Sequence, residues 1–223
     1  MNKKLFFEAI IKFVLGVIIV GLLLFLSAGT LKFWNAWLFM GILFIPMFIA
    51  GIIMLFKSPE LLKSRLNAKE KESEQKEIVK ISGLMFIIGF IFAGLNYRFK
   101  FDIIPNYIII ISSIIFIMSY IMYAIVLKEN VFLSRTIEVK KEQTVVDTGL
   151  YGIVRHPMYT STIFLFLSMP LILGSLISFL VFLIYPFIIV KRLNREEKVL
   201  EQKLNGYKEY KERVKYKLIP FIW

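Results

Sequence analysis

Residues 157–190 read PMYTSTIFLFLSMPLILGSLISFLVFLIYPFIIV. About 20 apolar residues cross the hydrocarbon core of a bilayer as a helix, so this run is too long for one passage. Pro170 and Gly174 interrupt it, and it reads as a helical hairpin of two short or tilted segments. Polar clusters close both ends: Arg155-His156 stands in front, and Lys191-Arg192-Leu193-Asn194-Arg195-Glu196-Glu197 follows. A hairpin returns its ends to one membrane surface, so the two clusters are expected to meet there.

Four further apolar runs, near 11–28, 35–56, 81–97 and 106–127, each have the length of a membrane-spanning helix. The expected fold is therefore an all-α polytopic integral membrane protein of about six transmembrane helices, or five if the hairpin does not fully cross. The cations test this count, because cytoplasmic loops collect Lys and Arg. With six spans, one side receives Lys3, Lys4 and Lys12, seven cations in 57–80, five in 128–156 and ten after 190. Of 28 in all, only Lys32, Arg98 and Lys100 are left for the other side. Both termini and both polar clusters are then expected to be cytoplasmic.

Composition agrees: 58% of the 223 residues are hydrophobic and the mean hydropathy is +0.72. A soluble chain of this kind would expose far too much apolar surface. The net charge of +12 flanks the apolar runs and forms no separate basic domain, which favours anionic lipid headgroups over nucleic acid as partners. With no cysteine and one histidine, neither a thiolate nucleophile nor a Cys- or His-based metal site is expected. Met-Asn-Lys-Lys before an apolar run resembles a signal peptide, and Ser27-Ala28-Gly29 a cleavage stretch. The length of that run and the spans after it favour retention in the bilayer. Segment 57–80 mixes both charge signs and is expected to be an exposed amphipathic connector. Phe33, Trp34 and Trp37 suit an interfacial belt on the non-cytoplasmic side. Asp102 and Asp147 read as loop residues, Asn96 and Asn106 as span ends.

The single histidine lies in Asp147-Thr-Gly-Leu-Tyr-Gly-Ile-Val-Arg-His-Pro-Met-Tyr159, at the mouth of the hairpin. Two plain readings are available. Arg155 and His156 suit a membrane boundary, with Arg155 reaching toward lipid phosphate. Arg192 and Glu196, spaced i to i+4, suit a surface ion pair worth about half a kcal/mol. Tyr207, Tyr210 and Trp223 belong to a basic tail that most simply lies on lipid headgroups, with covering of the site as a secondary role.

Taken together, Thr148-Gly-Leu-Tyr-Gly-Ile-Val-Arg-His-Pro-Met-Tyr159, Arg192-x-x-x-Glu196-Glu197-x-x-Leu200, Gly206-Tyr-Lys-Glu-Tyr210 and Leu218-Ile-Pro220-x-x-Trp223 resemble the isoprenylcysteine carboxyl methyltransferase and phospholipid methyltransferase superfamily. These are integral membrane enzymes that use S-adenosylmethionine. The resemblance spans roughly 140–223 and implies two regions: N-terminal transmembrane helices in 1–135 and a catalytic region in 136–223. It implies that Thr144, Val145 and Val146, with Tyr151, His156, Pro157, Met158 and Tyr159, contact the cofactor. Glu196 would hold one of the cofactor's polar ends, and Arg192 would meet the acceptor.

Physical chemistry is consistent with those roles. Pro157 fits the first turn of a helix. Free amides beside it would suit an anionic group such as the methionine carboxylate. Tyr151 and Tyr159 offer aromatic faces to an adenine or a sulfonium, and Glu196 can pair with an ammonium group or ribose hydroxyls. Methyl transfer from a sulfonium mainly requires orientation and exclusion of water, without a metal. A carboxylate acceptor is already nucleophilic and needs only Arg192 to position it. An amine or thiol must lose a proton, which makes His156 or Glu196 a candidate base. The resemblance implies a lipophilic acceptor entering from the bilayer, most simply a carboxylate. The rivals are a phospholipid N-methyltransferase, an NADPH-dependent reductase of the sterol type and a non-enzymatic membrane scaffold.

Overall fold

A computed structural model describes residues 3–66, 73–133, 139 and 142–223. The helices are α1 Lys3–Ala28, α2 Trp34–Lys57, α3 Pro59–Leu66, α4 Ser73–Phe99, α5 Asn106–Glu129, α6 Pro157–Ile172, α7 Leu176–Phe182, α8 Ile184–Lys203 and α9 Tyr207–Arg213, with a 3-10 turn at Gly149–Gly152. Five stretches are long and apolar enough to cross a membrane: α1, α2, Lys76–Phe99 of α4, α5, and the continuous α7–α8 stretch Leu176–Lys203. The protein is thus an all-helical, multi-pass membrane protein. The expected boundary at 135–136 lies outside the described residues.

α6, with 16 residues, is only about 24 Å long, less than the ~30 Å hydrocarbon core. It nevertheless forms the whole first arm of the hairpin. Gly174 makes the tip, at a φ of 74° that L side chains rarely adopt. Pro170 lies inside the last turn of α6 without ending it, and its carbonyl accepts the Ser175 amide at 3.0 Å. Of the two expected interruptions, the glycine alone reverses the chain.

Hydrogen bonds sort the loops to two ends. At one end, the Tyr97 hydroxyl donates to the Lys32 carbonyl at 3.0 Å. Asn96 Nδ2 donates to Gly174 O at 3.0 Å, and Asn35 Nδ2 to Ile172 O at 2.9 Å. The α1–α2 turn, the α4–α5 loop and the hairpin tip are thereby gathered together. At the opposite end, Lys12 Nζ donates to Leu66 O at 2.8 Å, and the Leu150 amide donates to Glu129 Oε2 at 3.1 Å. Lys32, Arg98 and Lys100 therefore share the end opposite the start of α1 and the α5–α6 connection.

Side-chain periodicity follows this packing. Ile110, Ile114, Met118 and Ile121 leave one exposed face along α5, while Ile109, Ser112, Phe116, Ser119 and Val126 are buried. α5 lies along α6, and the small Ser112 and Ser119 suit close helix contact. Phe39, Phe90, Phe116 and Phe182 belong to the main core. Phe33 departs from the expected interfacial belt: it is buried and stacks on Tyr97 with ring centroids 4.4 Å apart. Trp34 and Trp37 remain exposed. A short turn aims Phe33 inward where α4 ends, whereas the two Trp side chains sit on the outer face of α2. In the 57–80 segment, α3 buries Leu62 and Ser73 already begins α4, so its described parts are helical; 67–72 lie outside the described residues.

Asp102 does more than fill a loop. Its two carboxylate oxygens accept the Leu176 and Ile177 amides at 3.0 and 3.1 Å, capping α7 from another loop. Asn96, buried rather than merely terminal, donates to Asp102 Oδ1 at 3.1 Å and accepts its amide at 2.9 Å. Asp102→Ala is expected to cost about 1–2 kcal/mol in detergent unfolding, and Asp102→Asn about half of that, because one oxygen acceptor remains.

Candidate functional site

The site is assembled from the end of α5, the connection into α6, the charged half of α8 and the tail. Glu129 holds the Leu150 amide, and Asn130 Nδ2 donates to the Tyr151 hydroxyl at 3.2 Å, so the 3-10 turn hangs from the end of α5. The Tyr210 hydroxyl donates to Tyr151 O at 2.8 Å, bringing in α9. His156 is the N-cap of α6 and Pro157 opens its first turn.

The tail is bound along this entry. The Arg155 and His156 amides donate to Tyr216 O and Lys217 O, both at 2.9 Å, and Thr160 Oγ1 donates to Leu218 O at 2.7 Å. The two amides preceding Pro157 are therefore engaged by the tail, and within the first turn of α6 the Tyr159 and Thr160 amides donate to His156 O at 3.0 and 3.2 Å. The tail also departs from a simple headgroup-bound strip. Tyr207 and Tyr210 are buried with Leu204 and Val214 against Val145 and Leu200.

Glu197 is the electrostatic centre. Its Oε1 accepts Arg155 Nε at 2.7 Å and lies 3.2 Å from His156 Nε2, with all three side chains buried. Lys217 Nζ and Lys211 Nζ stand 3.6 and 3.9 Å from its Oε2. The Arg155 Nη1 donates to Val214 O at 2.7 Å and Lys215 O at 2.8 Å, so Arg155 is an internal clamp and not a lipid-facing arginine. Glu197 lies in the charged half of α8, beyond the apolar 176–190. Burial pushes its carboxyl up, but hydrogen bonds and charge from His156 and Arg155 outweigh this and hold it down at about 2.

One cleft brings most of the expected residues together. Thr144, Val145, Val146 and Tyr151 line it from the connection; His156, Met158, Tyr159 and Glu196 line it from α6 and α8. Pro157 is fully buried beneath and is not on the wall. Arg192 reaches the site through Tyr159: its Nε donates to the Tyr159 hydroxyl at 3.1 Å, which donates to Glu196. The i to i+4 pair thus shares a buried phenol. Asn130, Gln143 and the apolar shelf of Val199 and Leu200 add to the walls; no local sequence signal marks the first three, whereas Leu200 ends the Arg192-x-x-x-Glu196-Glu197-x-x-Leu200 pattern. Tyr207 and Tyr210 also line the cleft, and Gly206-Tyr-Lys-Glu-Tyr210 was their only sequence signal. Burial foremost keeps the phenols of Tyr151, Tyr207 and Tyr210 neutral, well above the ordinary tyrosine range.

The chemistry of this donor set suits an amphipathic cationic ligand. It offers one carboxylate facing the cleft, several aromatic faces and an aliphatic shelf. Among the described residues, no group of three or more His, Asp or Glu side chains is placed to hold a metal. Residues 107–202, from α5 through nearly all of α8, match the model of the isoprenylcysteine carboxyl methyltransferase (ICMT) family.

Proposed function

We propose that the chain, whose residues 107–202 match the model of the isoprenylcysteine carboxyl methyltransferase family, is a membrane methyltransferase that methylates a carboxylate on a lipophilic acceptor using S-adenosylmethionine. The observation that carries the reading is the hydrogen-bonded set Arg192–Tyr159–Glu196, of which Tyr159 and Glu196 line the cleft and Arg192 joins it through the Tyr159 hydroxyl. A cation suited to an acceptor carboxylate and an anion suited to a cationic cofactor thus stand about one turn apart on α8, which supports the reading.

The cofactor supplies an activated methyl group on a sulfonium. Glu196 holds its ammonium group or ribose hydroxyls, and Tyr151 and Tyr159 present aromatic faces to its adenine or sulfonium. Arg192 orients the acceptor carboxylate, which is already ionised, so no residue has to remove a proton. His156, held by Glu197, shapes the wall between them. The folded tail excludes water from the cleft. The acceptor enters sideways from the bilayer beside the hairpin. The catalytic region comprises 136–223, and the helices of 1–135 anchor it. By the positive-inside rule this end of the bundle faces the cytoplasm, and its cations meet anionic lipids of the cell membrane. The family match favours neither the reductase nor the scaffold reading.

S-adenosylmethionine is expected to bind the detergent-solubilised protein in the micromolar range by calorimetry, and Glu196→Ala to weaken this at least ~10-fold, the worth of a charge-assisted contact. His156→Ala is expected to weaken it also. Arg192→Ala should retain binding while losing transfer to a lipophilic carboxylic acid, followed as alkali-labile methyl ester. Folded protein that binds no S-adenosylmethionine would sink the reading; an alkali-stable methylated aminophospholipid would replace the carboxylate with an amine.

A further inference from the structure

The Tyr207 side chain, from the first turn of α9, is 4% exposed and lies on the wall of the cleft. Its hydroxyl is buried and has no hydrogen-bond partner among the described residues. Its neighbour Tyr210 differs: that hydroxyl is spent on Tyr151 O. A buried hydroxyl without a partner is costly, and one on a residue that lines a ligand cleft is explained when a ligand completes it. Tyr207 lies beyond the 107–202 family match, so that match assigns it no role.

We propose that the Tyr207 hydroxyl donates a hydrogen bond to a neutral acceptor atom on the nucleoside part of the bound cofactor, a ring nitrogen or a sugar oxygen, making α9 part of the binding site. Three observations select that chemistry. The phenol is a donor at any ordinary pH, because burial, with Glu197 and Glu196 nearby, raises its pKa. Glu196, the carboxylate that faces the cleft, disfavours an anionic ligand group at the same place and argues against the cofactor's own carboxylate there, while Glu197 is already balanced by Arg155 and His156. A cationic group is drawn instead to Glu196 itself, leaving the neutral nucleoside for Tyr207 and the shelf of Val199, Leu200 and Leu204 beside it. The inference rests on the proposed use of S-adenosylmethionine.

The test is a cycle between one protein atom and one ligand atom, on the full chain in detergent. S-adenosylhomocysteine and its 2′-deoxy, 3′-deoxy and ring-deaza analogues are titrated into wild type and Tyr207→Phe. The variant is expected to bind S-adenosylhomocysteine about five- to tenfold more weakly, the worth of one hydrogen bond, with no fall in ligand-free Tm because the hydroxyl has no partner among the described residues. One analogue should bind wild type as weakly as the parent binds the variant, and should lose nothing further in the variant. Equal affinities of wild type and Tyr207→Phe for the parent, or an equal loss for every analogue, would overturn the inference while leaving cofactor use intact. A folded wild type that binds no S-adenosyl ligand would instead remove the proposed function, and this inference with it.

Discussion

Glu197→Ala is expected to destabilise the folded protein by about 3–5 kcal/mol, the usual result of leaving a buried charge without its partner. Arg155 is 5% exposed and, among the described residues, would keep two carbonyl acceptors and lose the anion that balances it. The tail should detach first, because Arg155 joins α8 to Val214 and Lys215 while its own amide holds Tyr216. Protease cleavage after residues 211–217 should therefore accelerate before global unfolding. Glu196→Ala, one residue away, should cost less, about 1–2 kcal/mol for the buried Tyr159 hydroxyl left without its acceptor, and abolish the proposed cofactor contact. The same carboxylate sets an acid limit. The folded-state value, about 2 against an ordinary 4.5, is depressed, so the stabilisation is complete above about pH 4.5 and is lost as pH falls toward 2. Thermal melts at pH 6 and pH 3, in detergent, should show a larger loss for wild type than for Glu197→Gln. Equal losses would mean that another group governs acid unfolding.

Gly94→Ala is expected to cost about 3 kcal/mol, at the upper end of overpacking penalties, and Gly94→Val to prevent α1 from docking. A Cβ at position 94 would meet Leu24 O at 2.6 Å and Ala28 N at 2.9 Å, as well as the Ser27 hydroxyl. The first two are backbone atoms of α1, which cannot step aside without moving the helix. Close approach of this kind is how small residues let membrane helices associate where no hydrophobic force acts between them. Gly83, in the same helix, has nothing within 4 Å of its added Cβ, so Gly83→Ala is the matched control and should be neutral or slightly stabilising. Comparable unfolding of both variants would show that the α1–α4 crossing does not limit stability.

The helical spans were legible because length and apolarity alone decide what can cross a bilayer, and a spanning helix satisfies its own backbone. The two-sided sorting of Lys and Arg was legible for a related reason, and the loops the structure gathers at each end agree with it. Local rules also narrowed the hairpin turn to Pro170 and Gly174 and set the proline at the start of α6. They could not show that Phe33 is interior, that Asp102 caps a helix over seventy residues away, or that the tail covers the cleft. Each depends on a partner remote in sequence, and nothing in the local pattern names that partner.

The adjacent Glu196 and Glu197 show where the line falls. The sequence by itself determined that two carboxylates follow Arg192 on a helix leaving an apolar hairpin, opposite Arg155-His156, and that the two clusters share one end of the bundle. Successive helical residues point about 100° apart, so one carboxylate must face away from the other, but the sequence does not say which faces inward. Only the tertiary structure decided it: packing of α9 and residues 214–218 against α6 enclosed Glu197 with Arg155 and His156 and left Glu196 in the cleft with Tyr159, whose hydroxyl Arg192 holds from behind the wall. The physical reason is that a buried charge must be neutralised by whatever the fold brings to it.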